Sequence, residues 1–182
     1  MSDETVLTKE IAEQFLEDED SVDLSEFTAI EDKAAEVLSK LQGVFELALE
    51  GLTGLSEVAA ESLSKFQGEL YLGPISSSET AFKSLSKRKN LTLGVTDISD
   101  TTAELLSDLE WLGLHHVCSL SDDAAEKFGQ GTGVLDLRGL ENLSDAAANS
   151  LAARQGLTKL HLESLPKSAA NILRDSPHIR EW

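Results

Sequence analysis

Cysteine is almost missing. The single Cys118 among 182 residues excludes an internal disulfide framework and a cysteine-only zinc site. Positive charge is scarce as well: 15 lysines and arginines face 33 aspartates and glutamates, a formal charge of −18. Such a surface repels nucleic acid and anionic lipid, because every phosphate contact needs a cation. No apolar run approaches the ~18 residues of a membrane span. The opening Met1-Ser2-Asp3-Glu4 is acidic, without the basic flank and apolar stretch of a secretory signal. These absences predict a cytoplasmic chain with no nucleic-acid or membrane partner. Nucleophile elbows, phosphate loops and H-E-x-x-H are lacking too, so the reading is not an enzyme and calls for no cofactor.

What is present is a repeat. With 41% apolar residues a core is within reach, and self-similarity shows how it is built. An alanine recurs at Ala12, Ala35, Ala60, Ala81, Ala103, Ala125, Ala148 and Ala170, in steps of 21 to 25 residues. Three positions later stands a large apolar residue: Phe15, Leu38, Leu63, Leu106, Phe128, Leu151 and Leu173, with Leu85 one place late. A second column alternates apolar and variable residues, as a half-buried strand does. It reads Val22-Asp23-Leu24, Leu47-Ala48-Leu49, Leu70-Tyr71-Leu72, Leu91-Thr92-Leu93, Leu112-Gly113-Leu114, Leu135-Asp136-Leu137 and Leu160-His161-Leu162.

Each unit therefore reads as a short strand, a turn, a helix of two to three turns and a return. The first has only the helix half, residues 7–16. Ser56, Ser99, Ser121 and Ser144 stand where a hydroxyl caps a helix start, and Asp100, Asp122 and Asp145 follow in the first turn. Lys40, Lys65, Lys87, Arg154 and Arg174 sit near the opposite ends. Gly43, Gly68 and Gly156, with Asn90, are read as closing helices. The predicted organisation is a single domain over residues 1–182. Residues 1–20 form a cap helix and acidic link, 21–174 seven strand–helix repeats, and 175–182 a C-terminal cap segment. The fold class is α/β, and parallel strands linked by helices should coil right-handed.

Two stretches carry a resemblance. Leu49-Glu50-Gly51-Leu52-Thr53-Gly54-Leu55-Ser56 with Ala59-Ala60 is similar to a bacterial leucine-rich repeat. So is Leu137-Arg138-Gly139-Leu140-Glu141-Asn142-Leu143-Ser144 with Ala147-Ala148. The variant concerned reads roughly L-x-L-x-G-L-x-x-L-S-x-x-A-A-x-x-L, and it covers the chain from Leu7 to about Leu173. The resemblance implies a horseshoe solenoid, strands on the concave face and helices on the convex face, generally used to bind other proteins. One departure is that the usual asparagine after the strand is missing, with Gly51-Leu52 or Gly139-Leu140 near its place.

On that reading the partner-binding residues are Glu46, Glu50, Glu69, Tyr71, Thr92, Trp111, His115, Asp136, Arg138, Lys159 and His161. The geometric set from which they come also holds Ser21, Asp23, Ser25, Ala48, Gly73, Asn90, Gly94, Gly113, Val134 and Glu163. The sequence predicts a non-catalytic module, monomeric, binding another protein through this face. The alternative is structural self-association through the ends, where Ile179 and Trp182 either cover the last unit or meet a second chain. His115 and His116 point to opposite faces of a strand, so they share no metal ion. Cys118 is read as a small core residue. The acidic Glu17-Asp18-Glu19-Asp20 and the basic Lys83, Lys87, Arg88 and Lys89 are read as solvated segments.

Overall fold

The computed structural model describes residues 5–43 and 45–181. The chain falls into two compact units, Met1–Leu91 and Thr92–Trp182. In the first, β1 (Val6–Leu7) pairs in parallel with β2 (Ala29–Ile30) across α1 (Lys9–Glu17). Then α2 (Asp32–Leu38) leads to β3 (Glu46–Leu49), α3 (Glu57–Leu63) to β4 (Glu69–Leu72), and α4 (Glu79–Leu85) to β5 (Asn90–Leu93), which crosses the division. β3 and β4 are parallel, with Leu47 opposite Leu70 and Leu49 opposite Leu72. The second unit continues with α5 (Asp100–Leu106), β6 (Trp111–Gly113), α6 (Asp122–Gly129), β7 (Val134–Asp136) and α7 (Asp145–Ala152). It ends with β8 (Thr158–Leu160), α8 (Lys167–Arg174) and β9 (Ile179–Glu181). β6 to β9 pair in chain order, all parallel. The α/β repeat read from the sequence is the architecture.

The recurring alanines are the tightest places. All eight are buried, none more than 5% exposed. Helices pack in order, α1 on α2, α2 on α3 and α3 on α4, then α5 on α6, α6 on α7 and α7 on α8. An alanine lets neighbouring axes approach, while the leucine beyond it fills the space towards the strand. Leu38, Leu63, Leu85, Leu106, Leu151 and Leu173 are fully buried, each contributing roughly 1.5–3 kcal/mol of burial.

Three ladders hold repeat to repeat. The first runs through the helix starts. Ser56, Ser78, Ser121 and Ser144 each accept from the amide three residues on, at 2.9 to 3.2 Å. Each also donates its hydroxyl to the first-turn carboxylate of the preceding helix: Ser56 to Asp32, Ser78 to Glu57, Ser121 to Asp100 and Ser144 to Asp122. Of the first-turn acids predicted to suit the helix dipole, Asp100 and Asp122 thus have a second, specific partner. The second ladder is backbone. Thr53 N donates to Thr28 O and Ser76 N to Thr53 O, at 3.0 and 2.8 Å; Glu141 N donates to Cys118 O at 2.9 Å. These bonds join the returns of adjacent repeats, near the place where the asparagine of the resembled family would act. Gly51 and Gly139 make the approach possible, because a Cβ there would strike the carbonyl oxygens of Ser25 and His115.

The third ladder was not anticipated. One residue column, three places after the helix-end leucine or phenylalanine, reads Leu41, Phe66, Arg88, Leu109, Gly131, Arg154 and Ser176. The same backbone bond recurs at every position, from the column residue's amide to the helix-end carbonyl. Arg88 and Arg154 are only 8% and 2% exposed. Arg88 donates to the carbonyls of Leu63, Phe66, Gly68 and Asn90 at 2.6 to 3.1 Å. Arg154 donates to Phe128, Gly133 and Leu157 at 2.7 to 3.3 Å. Burial pulls both guanidinium pKa values down to about 10, which leaves them charged at neutral pH.

Several expectations are corrected. Val22-Asp23-Leu24 is not a strand: Glu19–Ser21 and Leu24–Glu26 are 3-10 turns, capped by Asp18 and Asp23 side chains accepting from amides two residues on. Carboxylates that fold back on their own backbone favour a turn over a ladder. The first unit also has a strand before its helix, β1. Of the glycines read as helix-closing, only Gly43 has positive φ, 81°. Helices α2 to α5 end instead on right-handed serines, with Ser39, Ser64, Ser86 and Ser107 donating to the carbonyl three residues back, and α7 ends on Ala153. Asn90 opens β5. Arg88 is not solvated, nor is Arg154 a surface cation. Cys118 is exposed rather than in the core.

Candidate functional site

Period two leaves one residue in each strand on the open face, and the two units carry different chemistry there. In the first unit Glu46 lies directly opposite Glu69 in register, and Ala48 opposite Tyr71. Glu46, Glu50 and Glu69 are exposed, Tyr71 half-buried. The Tyr71 hydroxyl donates to Glu69 Oε2 at 3.0 Å. The described ion pairs of this unit, Lys9–Glu13, Lys40–Glu36 and Lys65–Glu61, run along helices and leave this face acidic. Burial, then the bond to Glu69 and the charges of Glu69, Glu46 and Glu50, push the phenol up to about 12.

That shift is measurable without interference, since Tyr71 is the chain's single tyrosine. Phenolate absorbance should titrate about two units above the ordinary value of about 10. Glu69→Gln should bring the midpoint down part of the way, burial holding the remainder. A folded-state pKa raised above the unfolded one contributes stability that is complete below about pH 10 and fades as pH climbs to about 12. An ordinary midpoint in the folded protein would contradict the arrangement.

In the second unit Trp111 and Lys159, on β6 and β8, meet across the face, with Lys159 Nζ 4.3 Å from the indole ring centre. Beside them is a carboxylate cluster. Asp136 lies in β7 opposite Gly113 and is fully buried. Its Oδ1 accepts from Arg138 Nε at 2.9 Å, and its Oδ2 faces His115 Nε2 at 3.3 Å without a directed hydrogen bond among the described residues. Arg138 Nη2 is 3.3 Å from His115 Nε2. Gly113 makes room for this: a Cβ there would stand 2.7 Å from Thr92 Oγ1 and 3.2 Å from His115 Nε2. Asp136 therefore anchors His115 and Arg138, both half-buried, from beneath.

The structure thus draws together Glu46, Glu69 and Tyr71, with Glu50 beside them, in one unit; in the other it draws Trp111 with Lys159, and Thr92, His115, Asp136 and Arg138. Asp136, expected to point outward, is buried by its partners; a leucine-flanked strand centre predicts direction, not burial under neighbouring side chains. In the last repeat Leu135 faces Thr158 and Asp136 faces Lys159. The strand face is therefore centred on Lys159, not on His161, which half-emerges just past the strand. Ser21 lies in a 3-10 turn, Asp23 caps the next, and Ser25 and Glu163 also sit in 3-10 turns, none on a strand. Gly73 and Gly113 are buried. Ile179 is buried within β9, and Trp182 is outside the described residues.

Phe45 was not singled out by sequence reasoning. It stands immediately before β3 and is 89% exposed. The signal was an apolar residue one step ahead of the alternating column. Among the described residues no group of three or more histidine, cysteine, aspartate or glutamate side chains is placed to hold a metal ion, and no helix is long and apolar enough to cross a membrane. No family model and no curated protein matches the chain.

Proposed function

We propose that this chain is a non-catalytic interaction module that binds another protein through the open face of its strands. The observation that carries the reading is the pairing of Trp111 with Lys159 beside the Asp136-anchored Arg138 and His115. Aromatic and arginine side chains held in place before contact lose little freedom on binding, and such residues dominate interface energies. The helices repeat one pattern of alanine, leucine and serine, whereas the strand face differs from rung to rung, as a surface shaped to a partner does. The likeness of the repeats to leucine-rich repeats, which generally bind proteins, supports the same view. Self-association through the ends has less support, because Ile179 is buried against its own chain.

The test is affinity capture from the native source with wild type and with Tyr71→Ala and Trp111→Ala, whose side chains are half-exposed. The captured set should shrink in one variant or both while melting temperature holds. An unchanged set with unchanged melting would remove the strand face from consideration.

A further inference from the structure

The rim of the acidic strand face in the first unit holds a cleft of about 560 Å³, within the size range of about 300–1,000 Å³ common for ligand sites. Its lining includes Leu41, Gly43 and Phe45 from one return, Gln67, Gly68 and Glu69 from the next. Gly43, at φ 81°, turns the chain so that Phe45 arrives beside β4, where Glu69 N donates to Phe45 O at 2.7 Å. The Phe45 backbone is thus fixed in the ladder while its ring stays in water. Glu69, which lines the cleft, has Glu46 as its direct cross-strand neighbour, an arrangement that like charges make unfavourable. A free apolar ring and two adjacent like charges are both unfavourable alone. One partner relieves both.

We infer that the Phe45 cleft seats an apolar side chain of a basic protein segment, whose lysine or arginine groups engage Glu46 and Glu69. This rests on the interaction-module reading and names the chemistry of a partner for the first unit. Charge selects the occupant. Residues 1–91 carry 19 acids against 8 basic side chains, and the whole chain is at −18, so a second copy or a phosphate-bearing polymer meets repulsion where a cationic segment meets attraction. The raised Tyr71 phenol agrees with a negative potential over the same rungs.

The experiment selects random displayed dodecapeptides on the full chain and measures affinities of the enriched sequences as synthetic peptides. Enriched peptides should carry lysine or arginine together with an aromatic or large aliphatic residue. Their affinity should fall at least tenfold with Phe45→Ala and with the pair Glu46→Gln, Glu69→Gln. It should weaken as ionic strength rises from about 0.05 to about 0.5 M, a threefold shorter screening length. Phe45 is exposed, so Phe45→Ala should keep the wild-type circular dichroism and melting curve. Enrichment of neutral or acidic peptides, no enrichment, or affinities indifferent to both variants overturns the inference. The two readings separate because Trp111→Ala tests the strand face of the second unit and should leave these peptide affinities unchanged.

Discussion

Replacing Arg154 by methionine is expected to lower unfolding free energy by roughly 3–5 kcal/mol, measured by urea denaturation. Three carbonyl oxygens, of Phe128, Gly133 and Leu157, would lose a charged donor in a place that is 2% exposed, Phe128 O keeping the Gly131 amide and Leu157 O the Leu135 amide. Each bond from a charged donor contributes about 1.5–3 kcal/mol, and an acceptor left buried and unpaired costs about 1–3 kcal/mol. Some of this is regained, since methionine is apolar and of similar length and the guanidinium no longer loses its water. The sum is still a large share of an ordinary domain's 5–15 kcal/mol or so. Arg154→Lys should fall between the two, because an ammonium on a flexible stem cannot span carbonyls that a flat guanidinium fork reaches together. A loss below about 1 kcal/mol for methionine would mean that the remaining backbone donors and water satisfy these carbonyls without the guanidinium.

The second large effect is expected at Asp136. Arg138→Met leaves a fully buried carboxylate whose Oδ1 has lost its charged partner and keeps only the long bond from the residue-138 amide, at 3.4 Å. Breaking a buried pair from one side typically costs about 3–5 kcal/mol, because the remaining charge keeps its desolvation penalty. Asp136→Asn in the same background removes that charge and should recover much of the loss. The decisive quantity is the coupling between the two substitutions in a double-mutant cycle. Additive effects would show that Arg138 and Asp136 stabilise the chain independently, and the cluster described above would lose its anchor.

The alternation of alanine and leucine columns placed α2 to α8 and β3 to β7 within a residue or two, because each column answers one packing demand repeated in every unit. Where local side-chain chemistry competes with the column, sequence reading failed. Asp18 and Asp23 turn the chain at residues 19–26, where a strand was read. Thr158, not a leucine, starts the last apolar alternation, and the register slipped by two residues there. Period and charge read Arg88 as part of a solvated segment and Arg154 as a cation at a helix end, and neither reading reveals their burial. The clue was available: they occupy a column whose other members include Leu41, Phe66 and Leu109, and a cation in an apolar column marks a buried guanidinium. The strand positions of Glu46, Glu69, Tyr71, Thr92 and Trp111 were legible from period two alone. The pairings across strands, Trp111 with Lys159 and Asp136 with His115, depend on a spacing that only register fixes. Phe45 escaped because periodicity describes what is buried and says little of a ring left outside.

The serine–carboxylate ladder has a consequence for how such a chain lengthens. Ser121 donates backwards to Asp100, while Asp122, its immediate neighbour, receives from Ser144. Every such repeat thus carries a hydroxyl plug at one side and a carboxylate socket at the other. A duplicated copy of residues 121–143 spliced in after residue 143 would meet a matching socket before it and a matching plug after it. Growth by whole-repeat insertion leaves no orphaned cap, whereas an insertion half that length would strand one at each junction.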